Sequence, residues 1–402
     1  MILVLAGKSN ALVECIKYSL KVVDKDTIRV IPVKTDSETG DWQCSIVKYC
    51  RINNIKTITL EESYELETMV FVSIQYDRIL KPHLFKTNKI YNIHFSYLPF
   101  YKGVFPIVWP ILNQEKFTGV TLHQIDSGID TGDVIDRRKV FLNDDTTSRD
   151  LYFECQKMAF KIFKNNLKSL IDNTVVLKKQ PNTIGSYYSK TSLSLSDFQI
   201  DLKKTASQVS AQVRALTFPE YQLPTLFGEK IYKVVISDDK SKLKPGEIIY
   251  QDKEYIKIAT IDYDICLHID YRHKLFDDLK KGDIESIKKT LTNITDINIT
   301  NNNSCSPLMV AAYNGDISVI KLLVNSGADV NAQNQKGTSV LMYSKSFAST
   351  SGDLEGLKYL IENGALINHK DKYNKSLLTY AHDEGNIDVI QFLESRIKRI
   401  KK

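Results

Sequence analysis

Apolar and polar positions change register three times along the chain. In the first part, residues 2–5 form a short apolar run that meets a Gly7-Lys-Ser-Asn10 turn. Residues 11–20 then place Leu12, Val13, Ile16 and Leu20 at helical spacing. Further strand-like runs follow at residues 28–33, 56–60, 68–73, 90–94 and 118–125, and a helical pattern over 150–171 ends the series. Short apolar runs alternating with helical patterns predict an α/β unit built on a parallel, doubly wound sheet. Beyond residue 178 turn residues and aromatics become dense. One helix is predicted over 205–216, apolar at Val209, Val213 and Leu216, among strands at 230–236, 246–250 and 256–261. This second region reads as a small α+β domain ending near Tyr271.

The last third is repetitive. Gly282-Asp-Ile, Gly315-Asp-Ile, Gly352-Asp-Leu and Gly385-Asn-Ile recur at spacings of 33, 37 and 33 residues. Ser326-Gly-Ala-Asp-Val-Asn-Ala332 echoes Asn363-Gly-Ala-Leu-Ile-Asn-His369, and Ser306-Pro-Leu308, Ser339-Val-Leu341 and Ser376-Leu-Leu378 keep the register. A 33-residue period with these entry and exit residues is that of ankyrin repeats, an all-α array. Leu308, Leu322, Leu323, Leu341, Leu360 and Ile361 are its expected core. The four extra residues fall within 343–351 and predict an enlarged helix–helix connection. The domain boundaries are thus 1–178, 179–271 and 272–402. Tyr313, Tyr343 and Phe347 fall on the side where such arrays meet partners, so the repeats are expected to bind a protein or a regulatory small molecule.

Composition narrows the function without naming it. The 402 residues carry 54 basic and 48 acidic side chains, mixed along the chain for a net charge of +6, which gives no footprint of a nucleic-acid binder. No apolar run is long enough to cross a bilayer, and the start lacks the basic flank and cleavage site of a secretory leader. Six scattered cysteines form no C-x-x-C pair. These features argue against zinc and disulfides and for a reducing cytoplasm. Gly7-Lys-Ser9 is not a phosphate loop of the Walker type, because Ile2 stands where the first glycine belongs.

The stretch that carries chemistry is Asn92-Ile-His94-Phe-Ser96-Tyr-Leu98-Pro99, followed by Lys102-Gly103 and Pro106. Downstream lies Gly119-Val-Thr-Leu-His123-Gln-Ile-Asp126-Ser-Gly128-Ile-Asp130-Thr-Gly132-Asp133. On a strand Asn92 and His94 share a face. Acyl transfer to an amine needs a base, which histidine supplies near neutral pH, and a donor to the developing oxyanion, which an asparagine amide supplies. A carboxylate from the Gly/Asp-rich turn would fix the imidazole. A satisfied structural Asn-x-His pair beside an ordinary turn fits the same residues.

The ordered set Asn92-x-His94-x-Ser96-x-Leu98-Pro99, Gly103, Pro106, Gly119-Val-Thr and Asp126-x-Gly128-x-Asp130-Thr-Gly132 resembles the signature of folate-dependent formyltransferases. That group includes methionyl-tRNA formyltransferase and the N-formyltransferases of nucleotide-linked amino sugars. The resemblance implies a Rossmann-like first domain, 10-formyl-tetrahydrofolate as co-substrate, no metal, and Asn92, His94 and Asp130 as the catalytic set, with Asp130 orienting His94. Tyr97 and Lys102 depart from the commonest tRNA-enzyme pattern.

The short first domain and Asn-Ile-His-Phe-Ser resemble most the enzymes that formylate dTDP-linked amino-dideoxyhexoses for lipopolysaccharide O-antigen. The favoured acceptor is dTDP-3-amino-3,6-dideoxyglucose, with the 4-amino isomer second. The resemblance further implies a homodimer built partly through the second domain. It assigns folate contacts to Gln75, Tyr76, Arg78 and Ile79, and acceptor contacts to Arg214, Phe218 and Tyr221, while Lys8 and Asn10 lie where a turn after the first strand meets the cleft mouth. Methionyl-tRNA formylation, hydrolysis of the formyl donor, and an ankyrin adaptor with an inactive catalytic domain are the alternatives.

Overall fold

The computed structural model describes the chain except residues 37–42, 182–183, 195–197, 253, 293, 295–296, 302 and 401–402, and the side chains of 399–400. Two compact units result, one of residues 1–226, 231–251 and 256–268, the other of 227–230, 252–255 and 269–402. The first unit opens with strands β1 (Ile2–Gly7), β2 (Ile28–Pro32), β3 (Lys56–Thr57), β4 (Met69–Ile74), β5 (Ile90–His94), β6 (Lys102–Gly103), β7 (Phe117–Gln124) and β8 (Val134–Phe141). Helices α1 (Ser9–Ser19), α2 (Ile46–Ile52), α3 (Leu60–Tyr64), α4 (Trp109–Leu112) and α5 (Ser148–Ile171) lie between and after them.

Seven of these strands form one sheet in the order β3-β2-β1-β4-β5-β7-β8. The central strands are buried on both faces, which explains their unbroken apolar runs. Leu12 and Ile16 of α1 and Phe163 and Leu167 of α5 join Leu3, Leu5, Val70 and Val72 in one core. Val4, Ala6 and Phe71 face a second layer with Phe85. The sheet is parallel from β3 through β5, but β7 runs antiparallel to β5 and β8 antiparallel to β7. The parallel expectation therefore fails at this edge. The sequence pattern also misses β8, whose charged run includes the exposed residues Arg137, Arg138 and Lys139. A charged run suits an edge strand, where it discourages pairing with other chains.

Strand order reverses between β1 and β4, the position at which open α/β sheets leave a crevice. There the backbone of Gly7 pairs with Ile74, and the Lys8 N–H reaches the Ile74 carbonyl at 3.3 Å.

Strand β9 (Tyr187–Tyr188) returns to pair with β6. Helix α6 (Ala206–Leu216) starts at Thr205, whose hydroxyl caps the Gln208 N–H. A five-stranded sheet follows from β10 (Thr225–Leu226), β11 (Glu229–Ile236), β12 (Ile248–Gln251), β13 (Tyr255–Ile258) and β14 (Ile265–Ile269), ordered β10-β11-β14-β13-β12.

The second unit is built of helices: α7 (Tyr271–Lys281), α8 (Ile284–Leu291), α9 (Pro307–Asn314), α10 (Ile317–Asn325), α11 (Val340–Ser351), α12 (Glu355–Glu362), α13 (Leu377–Glu384) and α14 (Ile387–Ile400). The repeated glycines end α7, α9, α11 and α13 with φ of 68°, 74°, 76° and 68°, a left-handed conformation that stops each helix without steric cost. The serines of the repeated Ser-x-Leu pattern, Ser306, Ser339 and Ser376, cap the helices that follow them. Leu308, Leu323, Leu341 and Leu360 are fully buried, and Leu322 and Ile361 pack against them. The four extra residues do not enlarge a connection. They lengthen α11 to 12 residues against eight in α9 and α13, since Ser344-Lys-Ser-Phe-Ala-Ser-Thr350 contains no glycine or proline and four residues add about one turn.

Candidate active site

The site starts from the alternation of β5. Asn92 and His94, two residues apart, share one face, with Ser73 beside Asn92 on β4 and His123 directly across from it on β7. The Ser73 hydroxyl donates to Asn92 Oδ1 at 2.8 Å. That contact turns the amide nitrogen away from β4, toward His123 Nε2 at 3.3 Å and Asp130 Oδ1 at 3.5 Å.

Asp130 reaches this face from the turn after β7. Asp126 shapes the turn by accepting from the Gly128 N–H at 3.1 Å and the Thr131 hydroxyl at 2.6 Å. Gln180 clamps it by donating to the carbonyls of Asp130 and Gly132 at 2.9 and 2.7 Å. Asp130 itself has φ of 56°. Its Oδ2 accepts the Gly103 N–H at 2.9 Å and lies 3.5 Å from His94 Nδ1, while Oδ1 lies 3.5 Å from His123 Nε2.

The partners fix the imidazoles. A carbonyl only accepts, so His94 Nε2, 2.8 Å from the Tyr101 carbonyl, carries a proton and Nδ1 is the basic nitrogen of the neutral ring. By the same reasoning His123 Nδ1 donates to the Gln124 carbonyl at 2.8 Å, which leaves Nε2 free to accept from Asn92. The side chains of His94, Asp130 and His123 keep only 9%, 11% and 3% of their exposure, so these charges interact with little screening by water. Burial alone would raise the Asp130 carboxyl. When protonated, His94 by its charge and His123 by its charge and a hydrogen bond from Nε2 join the Gly103 N–H in outweighing that cost, and hold the carboxyl well below the usual carboxylate range.

The three residues predicted as catalytic are therefore gathered in one place. The short hydrogen bond that orients His94 comes from Tyr101 rather than from Asp130, which stands beside the basic nitrogen. Sequence reasoning missed His123, Ser73 and the Tyr101 carbonyl. His123 lies inside the same motif, but only strand register puts it opposite Asn92.

The predicted binding residues lie elsewhere on the first unit. Lys8 and Asn10 flank the start of α1, and Asn10 Oδ1 accepts the Cys44 N–H at 2.9 Å. Gln75, with φ of 53°, and Tyr76 leave the end of β4, and Gln75 Oε1 accepts from the Tyr152 hydroxyl at 3.0 Å. Ile79 is exposed, and Arg78 pairs with Glu61 at 2.8 Å. Arg214 donates to the Thr146 carbonyl at 2.9 Å and to Ser210 at 3.3 Å, and lines a 290 Å³ cavity with Gln114, Lys116 and Asp144. Tyr221 is exposed, but Phe218 is buried against it and Tyr152, at 4.8 and 5.3 Å between ring centres. A ring so enclosed backs Tyr221 and does not itself present a face. Among the described residues no group of three or more His, Cys, Asp or Glu is arranged to hold a metal ion.

Known families match the chain region by region. Residues 11–167 match the formyl transferase family, 192–270 the formyl transferase C-terminal domain, and 275–371 ankyrin repeats. The crystal structure of an N-formyltransferase from Helicobacter canadensis, in complex with folinic acid and dTDP-3-aminofucose, is 41% identical. The match covers 67% of this chain and 100% of that one, with a TM-score of 0.63. WlaRD, a sugar 3N-formyl transferase solved in the presence of dTDP and 5-N-formyl-THF, is 39% identical over 67% of this chain and 97% of its own, also with a TM-score of 0.63. The methionyl-tRNA formyltransferase of Clostridioides difficile (strain 630) is 30% identical over 208 residues, which span 50% of this chain and 66% of that protein. An α/β domain, a small β-rich domain and a helical array matching these models in order establish that the chain belongs to the formyltransferase family and continues into ankyrin repeats.

Proposed function

We propose that the protein transfers a formyl group from 10-formyl-tetrahydrofolate to the amino group of a dTDP-linked amino-dideoxyhexose. The acceptor we favour is dTDP-3-amino-3,6-dideoxyglucose, with the 4-amino isomer second, and the expected product serves lipopolysaccharide O-antigen. The observation that carries this reading is the convergence of Asn92, His94 and Asp130 on one face of β5. The acceptor class is supported by two relatives near 40% identity, one bound to a dTDP-3-amino sugar and the other a sugar 3N-formyl transferase.

The donor supplies an electrophilic formyl carbon. Asn92 Nδ2, held outward by Ser73, donates to the formyl oxygen as negative charge builds there. His94 Nδ1, the nitrogen not engaged by Tyr101, takes the proton of the attacking amine and passes it to N10 of the donor as the formyl carbon–N10 bond breaks and tetrahydrofolate leaves. Asp130 then faces an imidazolium at 3.5 Å, and its low pKa keeps it ionised to stabilise that cation. His123 Nε2 accepts from the Asn92 amide in the neutral ring and donates toward Asp130 when the ring is protonated.

Lys8 and Asn10 suit the acceptor's diphosphate, since they flank the start of α1, the positive end of the helix dipole, at the crevice beside β4. The nearby Ser9 hydroxyl is buried with no hydrogen-bond partner. Backbone groups around Gln75, Tyr76, Arg78 and Ile79 suit the edge of the folate ring, and Arg214 and Tyr221 suit the acceptor. A homodimer in the cytoplasm completes the reading.

The test incubates the protein with 10-formyl-tetrahydrofolate and each 3- and 4-amino dTDP sugar, followed by mass spectrometry. Gain of one formyl group by a 3-amino sugar is expected. Formylation of methionyl-tRNA with all sugars unchanged would overturn the acceptor. In the active assay, Asn92→Ala, His94→Asn and Asp130→Ala should each lower kcat by about a hundredfold or more.

A further inference from the structure

We propose that Tyr101 is a positioning residue for His94, acting through its main-chain carbonyl and anchored by its phenol on Glu115. The proposal rests on the reading of His94 as the base. The carbonyl of Tyr101 is the acceptor that leaves Nδ1 as the basic nitrogen, at 2.8 Å from Nε2. It is aimed by an unusual backbone: Tyr101 has φ of 59°, a left-handed conformation that a bulky residue adopts only when its surroundings impose it.

Those surroundings are visible on both ends of the residue. Its N–H donates to the Ser186 hydroxyl at 2.8 Å, and the following Lys102 N–H to the Ser186 carbonyl at 2.9 Å. Its ring is buried and stacks on Tyr188, with 6.0 Å between ring centres, and Tyr188 stacks in turn on Trp109 at 4.0 Å. The phenol donates to Glu115 Oε1 at 2.6 Å and accepts from Asn113 at 3.1 Å. Burial and the Glu115 carboxylate push the phenol well above its ordinary pKa, so it remains a donor at any working pH. The charged and titratable groups facing Tyr101 are Glu115 from the segment after α4, Tyr188 from β9 and His94 from β5, and His94 in turn faces Asp130 from the turn after β7 at 3.5 Å. Glu115 is exposed and follows the turn at Asn113–Gln114, so removing its carboxylate loosens the anchor without opening a cavity.

The experiment compares Tyr101→Phe, Glu115→Ala and Glu115→Gln with the parent and with His94→Asn in the full-length protein. Turnover, KM and the pH dependence of kcat/KM are measured, together with the His94 tautomer by long-range 15N–1H correlation. Tyr101→Phe and Glu115→Ala should lower kcat by about tenfold with KM within about twofold, because a slackened carbonyl misplaces the base without touching substrate. The acid limb should move to lower pH, since a weaker acceptor at Nε2 destabilises the imidazolium, and the neutral ring should gain the Nδ1–H form. Glu115→Gln keeps an acceptor for the phenol and should restore both readouts. Parental kcat and tautomer in either Tyr101→Phe or Glu115→Ala overturns the proposal, as does a Glu115→Gln enzyme no better than Glu115→Ala. Near-normal turnover in His94→Asn would instead sink the reading of His94 as base.

Discussion

A carboxylate set between two imidazoles is the feature of this site that individual residues explain best. Asp130 keeps its charge because its surroundings repay the cost of burial. Its pKa in the folded protein lies below the unfolded value of about 3.9. The stabilisation it contributes is therefore complete above that value and is lost as pH falls through the depressed one. Asp130→Asn should be less stable than the parent near neutral pH, and the gap should close as pH drops below about 4; denaturant midpoints across the pH range measure this. His123 acts through the amide of Asn92. His123→Ala removes an acceptor at 3.3 Å and opens a buried space, so it should lower kcat by about tenfold and also lower the melting temperature, read from steady-state kinetics and a thermal scan. The motif names His94 and Asp130 together, but they lie 36 positions apart, and the turn clamped by Gln180 is what brings the carboxylate beside the ring.

Short elements do much of the positioning. β6 and β9 are two residues each, yet their pairing brings the Gly103 N–H to Asp130. Gly103 has φ of 90°, and a Cβ there would sit 2.1 Å from the Tyr188 carbonyl oxygen. Gly103→Ala should push β9 away and lower kcat by more than tenfold while the protein remains folded by circular dichroism. In the repeats, Gly315 ends α9 at φ of 74°, and a Cβ would meet the Phe347 ring at 2.2 Å. Gly315→Ala should destabilise the helical unit by about 1–2 kcal/mol, seen as an earlier transition in calorimetry. Phe347 belongs to the added turn of α11, so the insertion is packed against its neighbour and does not hang free.

For the molecule as a whole, a net charge of +6 on 402 residues separates the two acceptor classes by ionic strength. With a dTDP sugar, kcat/KM should fall only a few-fold between about 50 and 200 mM salt, whereas an acceptor held by many phosphates would lose about a thousandfold. Strands β1 to β5 and β7, helices α1, α5 and α6 and the repeat register were legible in the chain, because side-chain periodicity, helix stops and turn chemistry act over a few neighbouring residues, and the motif holding Asn92, His94 and Asp130 was legible by its resemblance to a known signature. The antiparallel run of β7 and β8, the burial of Phe218, the extension of α11 and the roles of His123 and Tyr101 were not. Each depends on which residues, far apart in the chain, are brought face to face when strands choose partners. Apolar patterning says that a face will be buried; only the packed sheet says against what.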